Sequence, residues 1–511
     1  MCSDLVINGA PLAPADLAAV ARGQRSVRAD DAVPARMTAA REAVLTVAAA
    51  QEVYGRTTGV GANLAVHVES STDDPLAHDR RLLASHATTG GPAYPDEVAR
   101  AAMVVRANQL ARGMSGASPA GYLGLVAAVR AGAVPLVHRW GGVGTGDLGA
   151  LAELARALVG DVPWRSAGSP AVGPVVLAPG DVLALLSSNA VTIAQAALAA
   201  ADLAELLAAT EAVAALTLVA SAGNLEAFDP AVHAARPHPG AVRAAASVSA
   251  LLAGARITPR RVQDRFGLRA FPAVHGAALD ALTGLEAVLA VETAAGAENP
   301  LVVADPAPRV LHHGSWHEAP LALALDHLRL AVVGTATLAT RRLSLLLDSA
   351  EHGLLDRGEG GGGEGEGEGL AFLAAEPDGN GAMGLDYVAA AALAHLRALA
   401  GPVSLGSAVL SLGAEDHASF APEAARLTAE SVDPLRTVLA AELVATVRAL
   451  RLRRLDPAEL GPAPVAGALR TSYDVLPHLA ADRPLTEDVT LATSLLPGLA
   501  AVVQTLGVTD E

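Results

Sequence analysis

The sequence predicts a mainly α protein that is built on long helices and has a smaller mixed part at its N-terminal end. Apolar residues make up 52% of the 511 residues but aromatic residues only 3%, so alanine, leucine and valine must form the core. Runs that could form strands, such as residues 5–7 and 175–177, are short and scattered. Helical spacing of apolar residues, at i, i+3, i+4 and i+7, instead covers long stretches of the chain. These stretches are residues 98–112, 147–159, 190–221, 277–296, 320–350, 384–400 and 422–452.

The predicted organisation has two parts. Residues 1–180 form the mixed N-terminal part, and residues 181–511 form the bundle of long helices together with the C-terminal helices. Within the bundle, segment 190–221 is apolar nearly all round, which is typical of a helix at the centre of a bundle. Residues 358–369 contain only glycine and glutamate, and the entropy of glycine together with the like charges predicts a flexible loop there.

The overall charge limits the partners of the protein. A formal net charge of -17 makes the chain a poor counterion for phosphate groups, so we expect no nucleic-acid partner and no anionic membrane surface. The longest uncharged run, residues 182–201, contains several polar side chains and is interpreted as part of a buried helix, not as a membrane span. Asp4 comes early and no apolar segment follows a basic stretch, which indicates a chain without a signal peptide. The cysteine content, a single residue, indicates a cytoplasmic location.

The residue types present exclude several kinds of chemistry. All 36 basic residues are arginine, so lysine Schiff-base catalysis and the lysine of a phosphate-binding loop are excluded. Cys2 is the single cysteine, which excludes a cysteine-ligated zinc site, a disulfide framework and a redox pair within one chain. No metal site is predicted, because the loop at 358–369 lacks the Asp/Asn spacing of calcium sites.

Polar residues collect in short clusters within this apolar chain, where burial of a polar group has to be compensated by partners. Taken singly, each cluster has an ordinary structural explanation. Asp147, for example, fits a cap on the helix that follows it. The clusters, in chain order, are YGRTTGVG at 54–61, LLASHATTG at 82–90, RANQLARGMSG at 106–116, VGTGDLGAL at 143–151, Ser188-Asn189, VQDRFGLRAFPAVHG at 262–276, ENPLV at 298–302, GSWHEAPLALALD at 314–326 and AEDHAS at 414–419.

In this order the clusters resemble the aromatic amino acid ammonia-lyase superfamily, which contains histidine, phenylalanine and tyrosine ammonia-lyases and related aminomutases. The resemblance runs from Tyr54 to Ser419 and so covers most of the chain. It implies a long-helix bundle of the ammonia-lyase and fumarase-like type. It also implies a homotetramer in which each active site takes residues from more than one chain.

The resemblance implies an internal electrophile and no external cofactor. In the family, an Ala-Ser-Gly segment closes into a methylidene-imidazolone ring (MIO): the glycine nitrogen attacks the first carbonyl, and the serine dehydrates to an alkene. Here the three positions are Gly144, Thr145 and Gly146. Both glycines are compatible with ring closure. A dehydrated Thr145 would place an additional methyl group on the carbon that the substrate attacks.

Further roles follow from the resemblance, residue by residue. Tyr54 matches the catalytic tyrosine that removes the β-proton of the substrate, a role that requires a lowered pKa. Arg269 matches the arginine that binds the substrate carboxylate, and its planar guanidinium suits a bidentate pair. Asn189 matches an asparagine near the prosthetic group, and Gln263 matches an active-site glutamine.

Five positions bear on the substrate. Ser85, His86 and Glu415 match the residues with which histidine-type lyases contact the imidazole ring. Phe266 stands where the family usually has a second active-site tyrosine, and Trp316 stands where a smaller phenyl group is common. This pattern indicates a histidine-like substrate, with either its range or the chemistry altered at Phe266 and Trp316.

Three functional hypotheses follow. The first is an ammonia-lyase that converts histidine or a related aromatic L-amino acid into the α,β-unsaturated acid through an MIO-like group at 144–146. The second is an aminomutase, which would return ammonia to the β-carbon. The third is a diverged relative without the electrophile, which would use the same pocket for other acid–base chemistry or for ligand binding. Thr145 and Phe266 favour the third hypothesis. The first two are favoured by the retained residues Tyr54, Arg269, Gln263 and Glu415.

Overall fold

A computed structural model describes residues 3–68, 73–165, 172–348, 371–376, 378–478 and 481–507. The protein is 60% helical and 5% strand, which confirms the predicted mainly α class. The predicted flexible loop at 358–369 and Cys2 lie outside the described residues.

Helices form most of the chain, and their bounds follow in order. The first seven helices are α1 (Pro14–Ala21), α2 (Val33–Ala48), α3 (Ala77–His86), α4 (Asp96–Ala111), α5 (Pro119–Arg130), α6 (Leu148–Leu158) and α7 (Asp181–Leu186). The next six are α8 (Ala190–Ser221), α9 (Pro230–Ala234), α10 (Pro239–Leu251), α11 (Phe266–Arg269), α12 (Phe271–Glu292) and α13 (Ala319–Leu347). They are followed by α14 (Met383–Leu399), α15 (Ala421–Glu430), α16 (Val432–Leu452), α17 (Pro464–Val475) and α18 (Thr486–Thr505).

The long helices lie where the apolar spacing predicts them, with one exception. Segment 190–221 is a single helix, and nearly all of its residues are buried. The prediction of one continuous helix at 422–452 is wrong. The chain turns at Ser431, and the segment forms two helices, α15 and α16. Pro434 explains this break: its ring has no N–H to donate and would clash with the carbonyl of Glu430 in a continuous helix.

Strands are few among the described residues and form three two-stranded sheets. The strands are β1 (Leu5–Ile7), β2 (Val27–Ala29), β3 (Gly90–Ala93), β4 (His138–Trp140), β5 (Leu301–Val303) and β6 (Arg309–Leu311). The pair β1–β2 is parallel, with Leu5 opposite Val27, whereas β3–β4 and β5–β6 are antiparallel.

The chain divides into two compact units whose limits differ from the predicted division at residue 180. Unit 1 contains residues 1–201, 284–326 and 402–429, and unit 2 contains residues 202–283, 327–401 and 430–511. The chain returns to unit 1 because distant segments share its core. One apolar cluster joins Val44 of α2 and Val53 to Val302 of β5 and Val310 of β6. Such long-range packing leaves no linker-like composition in the sequence.

Each unit also contains a fully buried ion pair. In unit 1, the Arg106 guanidinium donates to Glu298 at 2.6 Å and to the Leu185 carbonyl at 3.1 Å. In unit 2, Arg342 donates from two nitrogens to the two oxygens of Glu442 at 2.6 and 2.8 Å. A charge buried in this way needs its partner, so both pairs constrain the packing of the helices that carry them.

Three helical segments are long and apolar enough, by length and composition, to cross a membrane: Asp181–Ser221, Phe266–Glu292 and Ala319–Leu347. In the most apolar window of the first segment, 83% of the residues are buried inside the protein. The predicted burial of residues 182–201 therefore holds for this helix. In the most apolar stretch of Phe266–Glu292 the buried share is 44%, and in that of Ala319–Leu347 it is 56%. These two helices therefore expose apolar surface in a single chain.

Candidate active site

A cavity of about 440 Å³ in unit 1 brings together most of the predicted site residues, and we call it the active-site cavity. Its walls come from the turn after α2, the end of α3, the loop before α6 and two later loops. These segments are far apart in sequence, and only the fold makes them neighbours. The predicted site residues that line it are Tyr54, Ser85, His86, Thr145, Gly146, Trp316 and Glu415.

Tyr54 reaches the cavity from the turn that follows α2. Its backbone N–H donates to Nε2 of His312 at 3.3 Å, and its phenol oxygen accepts a hydrogen bond from the Gly61 N–H at 2.7 Å. Burial raises the pKa of Tyr54 above 10.0; the Gly61 hydrogen bond offsets part of this rise, and the negative charge of Glu415 adds to it. The phenol of a single chain is therefore protonated at neutral pH, the opposite direction from that required of a base.

The loop at 144–146 has a backbone that favours glycine at two positions. Gly144 has a φ of +89° and Gly146 a φ of +114°, both in a region that side chains rarely adopt. The Gly146 N–H donates to Oδ1 of Asn189 at 3.1 Å, and the Gly144 carbonyl accepts from Oγ of Ser419 at 3.2 Å. Thr145, the residue between these two glycines in the chain, lines the cavity.

This loop fits the closure of an MIO-like ring. The nitrogen of Gly146 and the carbonyl of Gly144, which closure would join, both lie in a turn with left-handed glycines. Space around Gly144 is very limited, since an added Cβ would lie 2.0 Å from Oγ of Ser419. Glycine at position 144, where the family has alanine, thus has a steric reason in this chain. The groups that would hold the ring are Asn189 on one side and Ser419 on the other.

Asp147 anchors the end of the loop, but not as predicted from the sequence. Its carboxylate makes no cap hydrogen bond to α6, the helix that follows it. Instead it accepts from the N–H of Thr192 at 2.8 Å and from the Thr192 hydroxyl at 2.9 Å, and so it caps the first turn of α8. Burial raises the pKa of Asp147 to about 6, while the hydrogen bonds from Thr192 and Val191 oppose the shift.

Asn189 connects the loop to the segment before α13. Its Oδ1 accepts from Gly146, and its Nδ2 donates to the carbonyl of Trp316 at 2.7 Å. The indole of Trp316 donates in turn to the carbonyl of His313 at 3.0 Å. Burial, followed by the charges of nearby carboxylates, raises the pKa of Glu318 well above its ordinary value, and a hydrogen bond with Asn189 opposes this rise.

Ser85 and His86 end helix α3 at the cavity. Nδ1 of His86 lies 2.9 Å from the Leu82 carbonyl, which can only accept, so the neutral ring carries its hydrogen on Nδ1. Nε2 of His86 is then an acceptor. The hydroxyl of Ser85 donates to the same carbonyl at 3.1 Å. Glu415 is held by a backbone pair with Leu410, at 2.8 and 3.3 Å, and is partly buried.

Gln263, Phe266 and Arg269 do not line this cavity; they belong to unit 2. Gln263 and Arg269 line a separate cavity of about 610 Å³ in that unit. Phe266 is 64% exposed, and the Arg269 guanidinium carbon lies 4.2 Å from the centre of its ring. The buried Nε of Arg269 has no hydrogen-bond partner among the described residues.

The polar residues of the active-site cavity that sequence reasoning did not assign to the site include His78 and Arg81. Both are on α3, and together with Ser85 they follow the i, i+3, i+7 spacing of one helix face. This spacing, counted back from Ser85, is a signal that would have found them. Nε2 of His78 lies 3.3 Å from the Gly55 carbonyl and so also contacts the turn that carries Tyr54.

Comparison with known proteins bears on the family of the chain. The sequence model of the family described as "Aromatic amino acid lyase" matches residues 12–473. The chain belongs to this family. A histidine ammonia-lyase of Streptomyces coelicolor is 34% identical over 486 residues, which are 91% of this chain and 90% of that protein. A histidine ammonia-lyase of Anaeromyxobacter sp. (strain K) is 34% identical over 522 residues, 96% and 98% of the two chains.

Solved structures of aromatic amino acid lyases have the same fold. Histidine ammonia-lyase from Trypanosoma cruzi superposes with a TM-score of 0.86 at 25% identity, covering 98% of this chain and 95% of that one. Tyrosine aminomutase from Streptomyces globisporus has a TM-score of 0.87 at 24% identity, covering 99% and 98%. The long-helix bundle and the predicted superfamily are confirmed. The protein is a carbon–nitrogen lyase with an amino-acid substrate.

Proposed function

We propose that this lyase eliminates ammonia from histidine or a related aromatic L-amino acid and releases the α,β-unsaturated acid. The single observation that carries the proposal is the active-site cavity, where Tyr54 and Thr145 are close to Ser85, His86 and Glu415. The first two residues supply a base and the alkene carbon, and the last three supply polar contacts for a side chain. The histidine ammonia-lyases at 34% identity support the same substrate class.

The electrophile is proposed to form from Gly144, Thr145 and Gly146, and no external cofactor is required. Once formed, such a group accepts electrons from the bound amine and makes ammonia a better leaving group. Tyr54 is proposed to take the β-proton on its phenol oxygen. The Gly61 N–H, which donates to that oxygen at 2.7 Å, fixes the position of the phenol and stabilises the phenolate that proton removal requires.

The polar groups of the cavity favour an aromatic ring that carries an N–H. Nε2 of His86 and the carboxylate of Glu415 are acceptors in this cavity, so an imidazole can donate to one of them. A phenyl ring would leave these acceptors unpaired, and unpaired polar groups in a closed site reject a substrate strongly. Histidine is therefore the substrate that the described side chains fit best.

The assembly is proposed to be a homotetramer in which a second copy completes each active site with Gln263, Phe266 and Arg269. Support comes from Arg269, whose Nε is buried with no hydrogen-bond partner among the described residues, as expected of a group that binds a carboxylate. Exposed apolar side chains on the long helices, such as Val291, Leu323 and Leu330, also fit burial in an assembly. The absence of nucleic-acid and membrane partners remains a prediction from charge, and the cytoplasmic location remains a prediction as well.

Intact-mass spectrometry and near-ultraviolet difference spectra test the electrophile directly. The purified protein is expected to be lighter than its sequence by two waters and to absorb in the near ultraviolet, as an imidazolone conjugated to an alkene does. Thr145→Ser is expected to show the same mass deficit, whereas Thr145→Ala cannot lose the second water and should lose lyase activity. Activity is measured as the formation of the unsaturated acid from L-histidine.

An unmodified wild-type mass, with activity that appears only in Thr145→Ser, would overturn the proposal. The diverged relative without an electrophile would then be the better description. A β-amino acid as the main product, in place of the unsaturated acid, would instead identify an aminomutase.

A further inference from the structure

The two backbone groups that ring closure joins are each held by one side chain. The carbonyl oxygen of Gly144 accepts a hydrogen bond from Oγ of Ser419 at 3.2 Å. The N–H of Gly146 donates to Oδ1 of Asn189 at 3.1 Å. The resemblance to the family assigns a place near the prosthetic group to Asn189, but it assigns no role to Ser419.

The direction of the Ser419 hydrogen bond follows from its neighbours. Ser419 is buried, with 3% of its surface exposed, and its Oγ accepts from the Ala421 N–H at 3.4 Å. The Gly144 oxygen can only accept, so the Ser419 hydroxyl hydrogen points to this carbonyl. The backbone beside it is also held, because the Phe420 N–H donates to the Val143 carbonyl at 2.8 Å.

We propose that the hydroxyl of Ser419 activates the Gly144 carbonyl for closure of the ring at 144–146, while Asn189 orients the attacking Gly146 nitrogen. This inference rests on the proposed function, since it concerns how the electrophile of that function forms. A hydrogen bond to the carbonyl oxygen draws electron density from the carbon, and it stabilises the negative charge that develops on oxygen during attack.

The atoms of the step balance without any co-reactant. A bond forms between the Gly146 nitrogen and the Gly144 carbonyl carbon. The carbonyl oxygen leaves as the first water, with one hydrogen from the Gly146 nitrogen and one from the Thr145 nitrogen. The second water takes the hydroxyl of Thr145 and the hydrogen on its α-carbon. Ser419 donates its hydrogen bond to the oxygen that departs in the first of these waters.

Glycine at position 144 is part of the same arrangement. A Cβ at this position would lie 2.0 Å from Oγ of Ser419 and 3.1 Å from the backbone nitrogen of Phe420. The absence of a side chain at 144 is what allows the hydroxyl to approach the carbonyl in this loop.

The test uses a pair of variants with nearly the same shape, Ser419→Thr and Ser419→Val, which differ in the hydroxyl group. Each full-length variant is expressed, and the fraction of chain lighter by two waters is followed by intact mass over time after synthesis. Ser419→Thr is expected to mature, whereas Ser419→Val should mature at least about ten-fold more slowly, since loss of one donor to a reacting carbonyl oxygen costs that much or more. Ser419→Ala should resemble the valine variant.

Ser472→Ala is the matched control, because Ser472 is also fully buried and its hydroxyl donates to the Ala468 carbonyl within α17. It should mature like the wild type. Circular dichroism shows whether each variant is folded, and the Thr/Val pair decides the outcome if the alanine variant does not fold. Equal maturation of the Thr and Val variants would overturn the role of Ser419 and leave the proposed function intact. A wild-type chain of full mass would overturn both.

Discussion

At the scale of single residues, the site combines side chains that the family resemblance predicts with two that are expected to alter its substrate range or chemistry. Thr145 carries one methyl group more than serine, and Trp316 is larger than a phenyl group. The structure adds the environment of Tyr54, whose pKa is raised by burial and by Glu415. These features bear on the rate of the reaction and on its dependence on pH.

Thr145→Ser is expected to raise kcat by roughly one to two orders of magnitude. The methyl group on the alkene carbon crowds the attack of the substrate, and overpacking of this kind costs about 1–3 kcal/mol. Steady-state kinetics on L-histidine, normalised to the fraction of protein with the two-water deficit, measure the effect. An unchanged kcat would show that the methyl group does not contact the substrate at the transition state.

Glu415→Gln is expected to move the pH dependence of kcat to lower pH. The charge of Glu415 raises the pKa of Tyr54, and only the deprotonated phenol can accept the β-proton, so activity rises as the pH approaches that pKa. Removal of the charge lowers the pKa and shifts the rise downward. Asp416→Asn is the control, because the charge of Asp416 is not among those that shift Tyr54. The same profile in both variants and the wild type would contradict the role of Tyr54 as base.

At the scale of elements, one loop is tied to the start of the most buried long helix. Asp147 caps α8 through Thr192, and its N–H donates to the Ser188 carbonyl at 2.8 Å. The loop at 144–146 thus takes its position from the N-terminus of α8. This coupling explains why a flexible, glycine-rich segment can hold a defined geometry at the cavity.

The burial of Asp147 makes the stability of the protein depend on pH. Burial raises the pKa of Asp147 from 3.8 to about 6, so between these values the folded protein binds a proton that the unfolded chain releases. Binding of this proton stabilises the folded state, and the stabilisation is fully present below about pH 4. It is lost as the pH rises to about 6, and between the two values the free energy of unfolding falls by about 1.4 kcal/mol per pH unit.

Asp147→Asn removes this titration. Thermal unfolding midpoints measured from pH 4 to pH 8 should therefore depend less on pH in the variant than in the wild type. Asp161→Asn, which changes an exposed carboxylate just after α6, serves as control and should follow the wild type. A variant with the full pH dependence of the wild type would rule out Asp147 as its source.

At the scale of the whole molecule, the predicted site residues are divided between the two units. Tyr54, Thr145 and Glu415 line the active-site cavity of unit 1, whereas Gln263 and Arg269 line a cavity of unit 2. The proposed homotetramer with shared active sites would account for this division, because a second copy would supply Arg269. Assemblies that contain two different variants of the chain test whether the active sites are shared.

Tyr54→Phe and Arg269→Ala should each lower activity by about 10²-fold or more when expressed alone, since each removes a group that acts on the substrate. When the two variants are co-expressed, some sites receive a wild-type Tyr54 and a wild-type Arg269 from different chains. Random assembly would then restore about a quarter of the wild-type activity. Co-expression of two variants of the same cavity, Tyr54→Phe and Glu415→Ala, is the control and should restore none. No restoration in the first pair would exclude sharing of these residues between chains.

Several features of the protein could be predicted from the sequence because they depend on local spacing. The helix at 190–221 follows from apolar periodicity, and the family follows from the order of polar clusters between Tyr54 and Ser419. The break at Ser431 was also encoded locally, in Pro434, although apolar periodicity alone passes over it.

The tertiary structure decided what depends on distant contacts. Asp147 was predicted to cap α6, yet it caps α8, because a carboxylate binds whichever free N–H groups the fold brings near it. The contact of Ser419 with Gly144 joins residues 275 positions apart, and no periodicity encodes such a pair. The sequence by itself determined the elements and the family, since these follow from spacing and residue type. The partners of each buried polar group were determined by packing, which satisfies hydrogen bonds across the whole chain.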